Sequence, residues 1–223
     1  LQACAIAASR EGAAQAMKIA EIFNQAETPD NTTFYWYIAS LVNGGEMDKG
    51  EELLTDSIQN GLLEAREDFL AMVLHGWVRS RHPQKYNRAK KLLEKAQKLS
   101  KSKLHLTAST YNALLECCAQ SSGQGQYQYF ANEALRLIEE MRSLSKQKND
   151  NSVAPDLKSY TSAIRCLANC GDGQRAEVLF DEMMTAYKES GNRRLQPDSV
   201  ICNTVLTAYN KSKNENALQG AQG

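Results

Sequence analysis

Ser109-Thr110-Tyr111-Asn112-Ala113-Leu114-Leu115, followed by Glu133-Ala134-x3-Ile138-Glu139-Glu140-Met141 and closed by Pro155-Asp156, is the stretch that decides how this chain folds. Its opening is a start-of-helix signature that recurs at Asn31-Thr32-Thr33-Phe34-Tyr35, Ser159-Tyr160-Thr161-Ser162 and Ile201-Cys202-Asn203-Thr204. Its middle, an Ala followed by a large apolar residue and then Met, recurs at Ala176-x3-Phe180-x2-Met183. Weaker copies stand at Ala89-x3-Leu93-x2-Ala96 and Gly50-x3-Leu54-x2-Ser57. Residues 133–141 carry apolar side chains at i, i+3, i+4 spacing with charges between them, the pattern of an amphipathic helix. Each unit therefore reads as two helices, A and B.

The spacing sets the architecture. From Phe34 to Phe69, Tyr111, Tyr160 and Cys202 the steps are roughly 35, 42, 49 and 42 residues, within or just above the period that marks an α-solenoid. Phe69 opens a degenerate copy, Glu67-Asp68-Phe69-Leu70. The excess over 35 comes in sevens, about two helical turns each. One insert is the polar, glycine-containing run Ser121-Ser122-Gly123-Gln124-Gly125-Gln126-Tyr127. The others follow helix B, before Asp156 and before Asp198. The inserts are expected between helices and not inside them. At 223 residues and 42% apolar, with four prolines, the chain is long enough for one or two domains, and strand signals are few. The fold class is all-α: an α-solenoid of stacked antiparallel helix hairpins, in which neighbouring units bury one another's apolar stripes and leave a concave wall. Thr110 and Ser159 stand where helix N-caps are expected, Gly171 stands as a helix stop, and Pro29-Asp30, Pro155-Asp156 and Pro197-Asp198 close units.

Taken together, Thr110-Tyr111-Asn112-Ala113-Leu114-Leu115, Glu133-Ala134-x3-Ile138-Glu139-Glu140-Met141 and Pro155-Asp156 resemble the pentatricopeptide repeat of the P-type. Tetratricopeptide repeats share the hairpin architecture but carry a different Trp, Gly, Tyr and Pro pattern. The resemblance is good over 108–156 and 157–198, fair over 31–65 and the start of 199–223, and poor over 66–107. It divides the chain into a partial repeat at 1–30, repeats at 31–65, 66–107, 108–156 and 157–198, and a partial repeat at 199–223, in one array winding as a right-handed superhelix. The resemblance implies single-stranded RNA binding with one base per repeat read by two side chains. One reader follows the helix A aromatic and the other ends the repeat. Carried over, Asn112 pairs with Asp156 and Thr161 with Asp198, implying uracil and guanine respectively. Asn203 takes the first reader position of the next unit. Repeat 31–65 offers Tyr35 and Ala65, and repeat 66–107 offers Leu70 and Thr107, neither a base-reading pair of that family. A plainer reading stands beside this one: Asn112, Thr161 and Asn203 as polar first-turn residues, with Asp156 and Asp198 as turn caps.

Charge cuts against general polyanion binding, because the chain has 26 Lys and Arg against 26 Asp and Glu. The distribution is uneven: net −7 over residues 1–65 and +8 over 66–107. The basic stretch from Arg79 to Lys103 falls mainly in a loop and on a helix B, where it reads either as a solvated face or as a phosphate or partner patch. Six cysteines, Cys4, Cys117, Cys118, Cys166, Cys170 and Cys202, include no C-x2-C pair, and His75, His82 and His105 lie far from them. Buried thiols in a reducing compartment are expected, with no metal and no cofactor. The clusters Tyr35-Trp36-Tyr37 and Tyr127-Gln128-Tyr129-Phe130 read as packing before base stacking.

No phosphate-gripping glycine motif, metalloprotease helix or nucleophile-base arrangement is present, so no catalysis is expected of this segment. No run of about 20 apolar residues spans a membrane. Leu1 and Gly223 are expected to fall inside helices, as in an excerpt of a longer array, and a mitochondrial or plastid location is an implication of the resemblance. Two function classes remain open: a sequence-selective single-stranded RNA binder acting in transcript processing, stability or translation, and a helical-repeat scaffold in a larger assembly such as an organellar ribosome, with protein partners.

Overall fold

The computed structural model describes residues 30–100, 104–121 and 125–220, together with residues 18 and 21. Apart from residues 18, 21 and 30, the partial repeat at 1–30, with Cys4 and Pro29, lies outside them, as do Lys101, Lys103, the 122–124 part of the first insert and Gly223. All regular structure among the described residues is helical, and the chain divides into two compact units, Leu1–Leu106 and Thr107–Gly223.

In the first unit four helices follow one another: α1 (Asn31–Asn43), α2 (Met47–Gln59), α3 (Glu67–Arg79) and α4 (Lys85–Leu99). Asp30 starts α1 by accepting the Thr33 N–H at 2.7 Å, one of the donors a helix leaves unsatisfied at its beginning. α1 packs on α2 and α3, α2 on α3 and α4, and α3 on α4, so like helices stack on like and each hairpin closes on itself. Phe34, Ile38, Leu41 and Val42 of α1 meet a layer from α3 that includes Phe69, Val73 and Trp77, all buried. Close approach is bought with glycine: a β-carbon on Gly76 would sit 2.5 Å from Val42 Cγ1 and 2.7 Å from Met47 Cε. Gly50, the opening residue of the weak second signature, stands at the α1–α2 crossing, where a β-carbon would lie 3.2 Å from Val42. The small residue in that signature is thus a packing requirement.

The second unit contains α5 (Ala108–Ser121), α6 (Tyr127–Lys148), α7 (Leu157–Asn169), α8 (Gly173–Ser190), a single 3-10 turn at Arg193–Leu195 and α9 (Ser199–Gly220). α5 packs on α6 and α7, and α7 on α6, α8 and α9. Ala134, Ile138 and Met141, and Ala176 and Met183, are fully buried, as the second signature requires. In the α8 copy the large apolar position shifts: Leu179 is buried and Phe180 only half-buried.

Three sequence expectations need correction. The inserts after helix B are not loops, because α6 runs on from Met141 to Lys148 and α8 from Met183 to Ser190, about two further turns each. Residues such as Arg142, Leu144, Ala186 and Tyr187 favour helix, and nothing breaks it before Asn149 and Gly191, which end α6 and α8 in the left-handed conformation at φ 48° and 62°. Thr110 and Ser159 are not N-caps. Thr110 is buried within α5, and Asp156 caps α7 with Ser159 three residues on, each side chain accepting the other's backbone N–H in a capping box. Of the cysteines, Cys117, Cys118 and Cys166 are buried, but Cys170 is half-buried and Cys202 lies exposed on α9. No group of three or more metal-ligating side chains converges among the described residues.

Candidate nucleic-acid interface

A polar seam joins α5 to α7. Three rungs, at Asn112, Glu116 and Ala119 on α5, meet Ser159, Ser162 with Arg165, and Asn169 on α7. On both helices the rungs climb together, at helical spacing, so the two run in the same direction with these residues on facing sides.

The first rung contains Asn112 and, packed against it, Asp156. Asn112 is only 4% exposed, and its amide Nδ2 donates to both carboxylate oxygens of Asp156, at 3.1 and 3.3 Å, across 44 residues of sequence. Its Oδ1 accepts the Ser159 hydroxyl at 2.6 Å. A carboxylate can only accept, so the network permits one orientation of the amide, nitrogen toward Asp156 and oxygen toward Ser159. Asp156 also accepts the Ser159 N–H at 3.0 Å as the cap of α7, and Arg194 Nη2 approaches its second oxygen at 3.5 Å. The capping reading of Asp156 and its pairing with Asn112 are therefore both true of one carboxylate. An asparagine amide has two N–H donors and two lone pairs. One N–H shared between the two Asp156 oxygens and one lone pair toward Ser159 leave one N–H and one lone pair of the amide over.

The second pair is built differently. Thr161 Oγ1 donates to the Leu157 carbonyl one turn back, at 2.7 Å, and Asp198 caps α9 by accepting the Ile201 N–H at 3.0 Å. No hydrogen bond joins Thr161 to Asp198 among the described residues. Asn203 is exposed on the first turns of α9, its carbonyl accepting the Thr207 hydroxyl. At the corresponding positions of the first unit, Leu70 is buried and Tyr35 is half-buried with its ring edge-on to Phe69 at 5.6 Å. These two positions serve packing.

Sequence reasoning missed Ser159 as the residue that orients Asn112, and Arg194 as a cation beside Asp156. The Asp156-x2-Ser159 spacing was a legible capping-box signal. Nothing in the sequence pointed to Arg194, which the 3-10 turn brings back to Asp156. The middle rung carries an electrostatic consequence. Burial by itself would raise the Glu116 carboxyl, but hydrogen bonds from Arg165, Gln120 and Ser162 outweigh it and hold the group below the usual carboxylate range. A carboxyl lowered in the folded chain contributes stability that is present above its unfolded pKa, about 4.3, and lost as pH falls through the folded value. Glu116→Gln is expected to flatten the acid limb of a melting-temperature profile. An unchanged acid limb would remove Glu116 from that role.

Among the cations of the 66–107 segment, several are in structural use. Arg88 pairs with Asp48 and Glu51, Arg66 with Asp68, and Lys85 caps the Val78 and Ser80 carbonyls. Lys91, Lys95 and Lys98 are exposed on α4. Tyr127 and Tyr129 are 40% and 44% exposed, so of that aromatic cluster only Phe130 is core.

Comparison with known proteins meets this geometry at the same place. The PPR repeat profile matches residues 158–186, which span α7 and most of α8 and begin next to the capping box. These residues match one pentatricopeptide repeat. The chain is also similar to a chloroplastic pentatricopeptide repeat-containing protein of Arabidopsis thaliana, with 24% identity over 184 residues. That alignment covers 81% of this chain and 20% of the relative, so the chain spans about a fifth of the relative's length. No helix of the chain, among the described residues, is long and apolar enough to cross a membrane.

Proposed function

We propose that this segment binds single-stranded RNA and reads bases through its A helices, with Asn112/Asp156 at one base and Thr161/Asp198 at the next. The observation that carries the reading is the oriented Asn112 amide, held by Asp156 and Ser159 with one donor and one acceptor to spare. The repeat match over 158–186 supports RNA as the ligand class, and the chloroplastic relative supports an organelle as the place of action. The repeats are read as 31–65, 66–107, 108–156 and 157–198, flanked by partial units and of the P-type. The transcript is selected over a short UG-containing core, with Asn203 contributing to the following base. Tyr35 and Leu70, engaged in packing, leave the first unit to contact RNA without reading it. The alternative, a scaffold within a larger assembly, is favoured by zero net charge and by those two non-reading positions.

Binding of the intact protein to a randomised single-stranded RNA pool at near-physiological salt tests the reading. A UG core is expected to be enriched. Thr161→Asn is expected to move the preference at one base from G toward U, by about 1–3 kcal/mol of discrimination, the scale of a good pair of hydrogen bonds to a base edge. An unchanged preference in that variant defeats modular readout, and weak, salt-sensitive binding without enrichment points to the scaffold.

A further inference from the structure

The two-turn extensions of α6 and α8 do more than lengthen the helices. In the first unit α2 packs on α4, whereas among the described residues α6 and α8 meet only through long side chains such as Arg142 with Glu182 and Arg175 with Asn132, and a groove of about 900 Å³ opens along them. Its walls are helical faces: Arg142, Ser145 and Lys146 on α6, and Val178, Asp181, Glu182, Thr185, Ala186 and Glu189 on α8. The positions on α8 fall at i, i+3, i+4, i+7, i+8 and i+11, one continuous stripe. The lining also includes Pro155, Tyr160 and Leu195 of the 3-10 turn. Arg142 reaches across to Glu182 at 2.5 Å and lies over the Tyr160 ring at 5.7 Å, which spans the groove at one point. Val178 stays 53% exposed within it.

We infer that this groove is the docking site for a helix of a partner protein, about two turns of it buried, with small apolar side chains facing Val178 and Ala186 and a basic side chain at each end. Three observations commit the occupant. The groove is open along its length, and its walls present side chains with little free backbone, which suits a segment whose own backbone is already hydrogen-bonded. An extended peptide would seek a sheet edge, and the described residues contain none. Charge selects the flanks. Arg142 and Glu182 neutralise each other, leaving Asp181 and Glu189 without a cationic partner among the described residues, against the single ammonium of Lys146. The two carboxylates stand eight residues apart, about 12 Å along the helix, so lysines or arginines seven or eight residues apart on the incoming helix meet both. The same carboxylates repel phosphates, which argues against RNA as the occupant.

The probe is a displayed library of helix-stabilised peptides three to four turns long, panned on the intact protein and counter-selected on Ala186→Trp, which fills the groove. Enrichment of peptides with basic residues seven or eight apart around a small apolar stripe is the expected result. Their affinity should fall at least tenfold on Asp181→Lys with Glu189→Lys and recover when the peptide's basic residues become glutamates. Both positions are exposed, so the charge-reversed variant keeps the test decisive if Ala186→Trp does not fold. Failure to enrich a shared pattern over the counter-target, or binding indifferent to the charge reversal, overturns the inference. So does crosslinking of oligo(U) at Lys146, which would assign the groove to RNA. None of these outcomes depends on base reading at Asn112.

Discussion

Replacing Asn112 by aspartate is expected to destabilise the protein by about 3–5 kcal/mol at neutral pH, the cost of an uncompensated buried charge. The substitution is nearly isosteric, so sterics contribute little. It removes the Nδ2 donor and puts a second carboxylate where Asp156 now stands at 3.1 Å, in a site only 4% exposed to solvent. Two carboxylates sharing such a site cannot both ionise cheaply, so one titrates upward. The sign follows from linkage: a carboxyl raised in the folded state destabilises above its unfolded pKa, and the penalty shrinks as pH falls and the extra proton binds. The difference in unfolding free energy between variant and parent should therefore narrow from pH 7 toward pH 4. Asn112→Ala, which leaves Ser159 and Asp156 short of a partner but adds no charge, should cost less, about 1–3 kcal/mol, with little pH dependence. Both variants are expected to lose uracil preference at the corresponding base. Denaturant unfolding at several pH values checks the first part, and parental stability of Asn112→Asp at pH 7 would show that the Asn112–Asp156 contact is not formed in solution.

The second large effect lies in the first unit. Trp77 is 1% exposed, donates its indole N–H to Glu51 at 3.1 Å, and lies under the Arg88 guanidinium at 5.3 Å. Arg88 in turn holds Glu51 and Asp48, so one ring fills the core and anchors the ion pairs that tie α4 to α2. Trp77→Ala is expected to cost about 3–5 kcal/mol, combining lost burial with the cavity left behind. Trp77→Phe retains most of the burial and removes the indole donor, so a loss of about 1–2 kcal/mol is expected. Since the proposed readers Asn112, Asp156, Thr161 and Asp198 stand in the second unit, Trp77→Phe should leave base preference as it was. Urea midpoints of the two variants measure the contrast, and equal losses would mean that the ring's volume contributes nothing beyond the hydrogen bond.

The helix order was legible because hairpin repeats depend on local features: an aromatic at the start of helix A, a small residue where helix B crosses it, and a stop. Gly50, Ala89, Ala134 and Ala176 could be aligned from the sequence since each is a small buried residue at the same place in its helix. Loop and helix were harder to separate. The seven-residue inserts follow helix-compatible sequence, and two turns of helix span the same residue count as a loop, so the length alone could not tell them apart. The N-caps were misplaced by three residues for a related reason, as Ser159 belongs to the same capping box and is as good a cap by residue type as Asp156.

What the sequence by itself determined about this protein is the repeat: its period, its paired helices, and the register that sets Asn112 and Asp156 at equivalent ends of one unit. Such patterns are local, and each is read within a few turns of chain. Only the tertiary structure decided which of those positions meet. It joins Asn112 to Asp156 through Ser159 and lets Arg194 approach, yet turns Thr161 to its own helix and gives Asp198 a capping role. It also converts two inserts into the walls of a groove. The meeting of Asn112 with Asp156 and Ser159 depends on side-chain directions and helix separations set across 44 and 47 residues of sequence, and no local pattern encodes it.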